Sequence, residues 1–110
     1  MAQLFDEAEL LDRVDNDVAF LADTVQMLET DGRALMLQLN AAVTSSDAAA
    51  IGRTAHTLKG MISNFCAPSI QTLALEVEKA SDGAAAAAAS AKLEPELEAL
   101  IVELAAFVRA

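Results

Sequence analysis

Cysteine, aromatics, glycine and positive charge are all scarce in this chain, and each shortage narrows what it can be. A single cysteine, Cys66, cannot close a disulfide within the chain, so a cross-linked secreted scaffold is not expected. One histidine, one cysteine and no paired acid–histidine spacing leave no zinc-ligand set. No glycine-rich phosphate loop is present, so the chain is not expected to bind ATP itself. Seven basic residues face 17 acidic ones, a formal net charge of −10. Nucleic acids and anionic membranes, both recognised mainly through positive charge, are therefore excluded as partners. No apolar run reaches the length that spans a bilayer. The opening "MAQLFDEAELL" carries acid where a secretory signal carries base. A reduced, cytoplasmic protein is expected.

What remains is mostly helix-forming. Hydrophobic residues make up 55% of 110 residues, with only four Gly and two Pro, enough apolar side chain for one domain over residues 1–110. Alanine and leucine dominate the chain, and unbranched side chains lose little rotamer freedom in a helix. "LFDEAELLDRV" reads as a short first helix with Asp6 and Glu7 in its opening turn. Asp15 or Asn16 is expected to cap a long second helix, in which Val18, Leu21, Val25, Leu28, Leu35, Leu39 and Val43 keep a three-four spacing and Gly32 fills one slot.

"TSSD" ends that helix. Ser46 or Asp47 then caps a third, from about Asp47 to Cys66. Pro68 stops the third helix and can open the fourth. Ile70, Leu73, Val77 and Ala80 form the fourth helix's apolar stripe, and Gly83 is its expected stop. In the fifth region Leu93, Leu97, Leu100, Leu104 and Phe107 hold one phase across Pro95, which either kinks the helix or starts a new one. The methionines read as core filler. The fold class expected is all-α, an antiparallel up-down four-helix bundle with a short extra N-terminal helix.

The stretch "TAHTLKG" holds the only histidine, with Gly52 and Gly60 four residues to either side. Glycine weakens a helix interior by roughly 1 kcal/mol relative to alanine, so the pair needs a reason. At about 100° per residue, Ala49, Gly52, Arg53, Lys59, Gly60 and Ser63 fall within about 60° of His56. Ile51, Thr54, Leu58, Met61, Ile62 and Phe65 lie opposite, with Ala55 at the margin. By phase, His56 is therefore exposed, and its axial neighbours are the two glycines. They leave the imidazole open to something large. From Ala48 to Leu75 there is no Asp or Glu, which leaves Arg53 and Lys59 as a patch suited to an incoming anion.

A neutral imidazole nitrogen is a nucleophile without help from a base. Attack on a phosphoryl group gives phosphohistidine, a covalent intermediate that can pass the group on. Such transfer needs in-line access and positive charge near the phosphoryl oxygens. Lys59 can reach an anion on the ring as a flexible point charge, and the Ser63 hydroxyl could donate a further hydrogen bond. Cys66 lies about 80° from His56 by phase, unsuited to a Cys–His nucleophile pair.

These residues carry a likeness to a known family. "AHTLKGMISNFCA" resembles the signature of histidine phosphotransfer (HPt) domains: a helical His, Lys three residues later, then Gly. "LFDEAELLDRVDNDVAFLADTVQMLE" resembles the family's opening helices, and "LALEVEKASDG" its segment after the active helix. The resemblance implies a small helical bundle that shuttles phosphoryl groups between receiver-domain aspartates, with no ATP site and no cofactor of its own. Mg²⁺ would sit on the receiver only. It implies His56 as the phosphorylated residue, Lys59 as the supporting cation and Gly60 as the clearing glycine. The docking surface would surround His56, over Ala49, Gly52, Arg53, Gly60 and Ser63, and extend onto the second helix. Partners would be receiver domains of response regulators and of a hybrid histidine kinase, met by a monomer. "MISNFC" is bulkier than the family's usual small residues.

Two other readings share the bundle. A histidine-kinase dimerisation hairpin would normally place an acidic residue after the histidine, where Thr57 stands. A non-catalytic adaptor that docks receivers would not need His56 and Lys59 together.

Overall fold

In the computed structural model, which describes residues 4–80 and 82–109, every regular element is helical. The short α1 spans Glu7–Arg13. Asp6 is its N-cap rather than a first-turn residue, accepting the Glu9 amide at 3.0 Å. The chain then turns through Asp15 and Asn16, both left-handed with φ of 52° and 61°. Neither caps the next helix. Asp17 does, accepting the Phe20 amide, because a cap needs a non-helical backbone with negative φ, as Asp17 has at φ −83° and ψ 87°.

The expected long second helix forms as α2 (Val18–Met27), a π turn (Leu28–Gly32) and α3 (Arg33–Thr44). The wider π turn shifts the apolar stripe. Leu21, Val25, Leu28 and Leu39 are buried as expected, but beyond the turn Met36 and Ala42 go inside, while Leu35 and Val43 pack half-buried at the edge and Val18 is exposed.

Asp47 caps α4 (Ala48–Ile62) by accepting the Ala50 amide. A 3₁₀ turn (Ser63–Phe65) follows, and Cys66 ends it in the left-handed region at φ 55°. Pro68 is the first residue of α5 (Pro68–Lys79). Gly83 does not stop α5, which ends at Lys79 against an extended Ala80. It instead opens α6 (Gly83–Arg109), where Asp82 accepts the Ala85 amide at 2.7 Å. Pro95 lies inside α6 without ending it, on the exposed side.

Packing closes a helical bundle. α3 lies on α4, α4 on α5, α5 on α6, and α6 against α2 and α3. The bundle measures 42 × 25 × 19 Å, and its long dimension matches the roughly 40 Å of a 27-residue helix such as α6. α3 and α6 run antiparallel: Arg33 pairs with Glu98, and Asn40 donates to Glu94 at 3.1 Å. Leu21, Leu28, Leu39, Leu58, Ile62, Ile70, Leu93, Leu97, Leu100 and Leu104 fill the interior. α1 closes one end. Phe5 meets Phe107 edge-on at 5.4 Å, Arg13 donates to the Ser63 carbonyl at 2.9 Å, and the Asp6 amide bonds the Cys66 carbonyl. No helix among the described residues is long and apolar enough to cross a membrane.

Candidate functional site

The middle of α4 divides by face as its phase requires. Ile51, Thr54, Ala55, Leu58 and Ile62 are buried. Ala49, Arg53, His56 and Gly60 are exposed, and Gly52, Lys59 and Ser63 are partly so. Two thirds of the His56 side chain (67%) is exposed. A Cβ added to Gly52 or Gly60 would meet nothing within 4 Å. Among the described residues no neighbouring helix exploits the missing side chains, so close packing does not explain these glycines. What they leave is clear space above and below the ring.

Sequence reasoning missed the carboxylate that completes the site. Glu78, in the last turn of α5, lies beside His56 and Lys59. Its Oε2 is 2.8 Å from His56 Nδ1 and its Oε1 2.8 Å from Lys59 Nζ. The stretch from Ala48 to Leu75 is free of acid, but the patch it forms in space is not. Lys59 is correspondingly not a free cation, and only a quarter of its side chain (25%) is exposed. The Lys59 ammonium first, then the hydrogen bond from His56, holds the Glu78 carboxyl below the ordinary glutamate range, against some loss of hydration.

An ionised carboxylate only accepts hydrogen bonds. Nδ1 of His56 therefore carries the proton, and in the neutral ring Nε2, on the edge away from Glu78, keeps the lone pair.

The Ser63 hydroxyl does not wait for a ligand. It donates to the Gly60 carbonyl at 2.6 Å and helps close the end of α4. Cys66 is buried, and that burial raises its thiol above the ordinary range.

A groove of about 550 Å³ opens between α2 and the C-terminal end of α4, among Val14, Phe20, Thr24, Met27, Met61 and Asn64. Phe20 and Met27 are 55% and 59% exposed, so Met27, unlike buried Met36, is not core filler. Met61 and Asn64 lie one to two turns beyond His56, about 7–12 Å along the helix axis.

Fold and site together are those of an α-helical domain that presents one exposed histidine on an open helix face. The chain belongs to the Hpt domain family, which matches residues 23–107. Members of that family are phosphocarriers, histidine-containing phosphotransfer domains that interact with receiver domains in phosphorelays. No curated protein and no solved structure gives a significant match.

Proposed function

We propose that the protein is a phosphocarrier in which His56 takes a phosphoryl group from the aspartyl phosphate of one receiver domain and gives it to the aspartate of another. The observation that carries this reading is the exposed His56 ring, held at Nδ1 by Glu78 and with no partner at Nε2 among the described residues. The Nε2 lone pair attacks phosphorus, an N–P bond forms, and the P–O bond to the receiver breaks, its electrons leaving with the aspartate carboxylate. The ring becomes formally cationic, and the Glu78 carboxylate on Nδ1–H stabilises that charge as it develops. Transfer onward reverses these steps.

Gly52 and Gly60 admit the donor in line. Lys59 lies three residues from the ring, close enough to serve the phosphoryl oxygens once it shares itself with Glu78. Arg53 and Ala49 extend the contact face along α4, and the Phe20–Met27 groove extends it onto α2. An apolar patch beside a reactive group suits protein docking. Residues 1–110 are read as one domain, monomeric and cytoplasmic. It has no ATP site and no cofactor of its own, and Mg²⁺ belongs to the receiver.

The test is phosphotransfer from a phosphorylated receiver domain. Wild type should acquire acid-labile label and His56→Gln none. Normal uptake by the variant would place the acceptor elsewhere.

A further inference from the structure

One carboxylate is committed to both groups that a phosphoryl on His56 would need. Oε2 of Glu78 accepts from Nδ1, and Oε1 holds the Lys59 ammonium, each at 2.8 Å. Three quarters of the Lys59 and Glu78 side chains are covered (25% and 26% exposed), whereas the ring beside them is open. The clasp is therefore built into the α4–α5 seam, and the phosphoryl would arrive on the open side.

Release of the group depends on the proton at Nδ1. A receiver carboxylate oxygen attacks phosphorus, a P–O bond forms, and the N–P bond breaks with its electron pair returning to Nε2. With the proton in place, the leaving group is neutral imidazole. Without it the leaving group is imidazolate, a far stronger base and a poorer one to expel. The Glu78 carboxylate, 2.8 Å from Nδ1, accepts the hydrogen bond of that N–H. Lys59 acts in the opposite sense, since an ammonium given wholly to the phosphoryl oxygens would hold the group in place. Shared with Glu78, it gives them only part of its attraction.

We propose that Glu78 is a positioning residue that sets how readily phosphorylated His56 hands its phosphoryl group on, by retaining the Nδ1 proton and by competing with the phosphoryl oxygens for Lys59. This rests on the phosphocarrier reading of the same site. It assigns opposite signs to two neighbouring side chains: Glu78 favours release and Lys59 favours retention. A merely structural ion pair would give both removals the same sign.

The experiment phosphorylates wild type, Glu78→Gln and Lys59→Gln with phosphoramidate, a small donor that needs no protein partner. Phosphorus NMR at mildly alkaline pH then reads the position and decay of the product. Wild type should carry the group on Nε2. The Glu78→Gln product should decay more slowly by about threefold and the Lys59→Gln product faster by a similar factor, the scale expected for partly exposed ion pairs. Thermal melts verify that each variant is folded. Decay shifted in the same direction by both substitutions, or unaltered by Glu78→Gln, overturns the proposal. Should Glu78→Gln fail to fold, the Lys59 arm decides: faster decay supports it and slower decay overturns it. Refusal of phosphoryl by wild type from receiver domains would instead count against the phosphocarrier reading, which the phosphoramidate arms do not use.

Discussion

The two faces of α4 are made from one fifteen-residue helix and obey opposite rules. On the inner face Ile51, Ala55, Leu58 and Ile62 are buried to within a few per cent, and each side chain is fixed by its neighbours. The outer face carries two glycines at which an added side chain would meet nothing within 4 Å, one ring largely in water, and a lysine held by an acid from another helix. The inner face gives up freedom for stability. The outer face gives up stability, since each glycine costs about 0.5–1 kcal/mol of helix. A functional surface can thus be recognised by what its helix tolerates against its own interest.

Substitutions can break this contrast. The largest effect is expected from His56→Gln: complete loss of phosphoryl acceptance in a labelling assay, with stability in urea within about 0.5 kcal/mol of wild type. Leu58→Ala, two residues away on the inner face, should do the reverse. It should cost about 2–5 kcal/mol in urea unfolding by leaving a cavity, and whatever fraction remains folded should still accept phosphoryl.

Phe20→Ala and Met27→Ala should weaken receiver binding by about fivefold or more each in a titration, with little change in the melt, if the groove is part of the docking face. Gly52→Ala and Gly60→Ala should sharpen the contrast most directly, each stabilising the fold by about 0.5–1 kcal/mol while slowing transfer from a receiver. A Gly60→Ala protein that is stabilised and transfers normally would show that the cleared space is not needed there.

The smallest effect concerns pH. Arg33 holds the Glu98 carboxyl below the ordinary value of 4.5, as Lys59 does that of Glu78. Below that value the unfolded chain binds protons that the native state still refuses. Stability contributed by these carboxylates is therefore complete above it and drains away as pH falls through the lowered native values. Glu98→Gln should flatten the acid limb of a stability–pH curve by at most about 1 kcal/mol, because the pair is solvent-exposed.

Much of this was legible in sequence because it is local. Helix phase alone placed His56 outside and Leu58 inside, and Pro68 marked the start of α5. Other features depended on neighbours that local pattern does not name. Asp15, Asn16 and Asp17 are equally good caps by type, and only the left-handed backbone at the first two decides for Asp17. The π turn was invisible because a stripe containing Gly32 fits either winding.

Glu78 was missed because it reaches the site across the α4–α5 seam, 22 residues from His56. A signal did exist. In an antiparallel hairpin, residues equidistant from the turn meet, and His56 and Glu78 stand equally far before and after Ala67. Counting outward from the turn would have drawn the acid into the patch.

The small α1 has a practical consequence for anyone trimming this protein. The family match starts at residue 23, beyond the whole of α1. Yet Phe5 shields Phe107, and Arg13 ties down the last turns of the histidine helix. A fragment cut at the family boundary would bare greasy surface at one end of the molecule and untether the scaffold beneath the ring, so it should be prone to clumping. The physical unit is longer than the recognisable one.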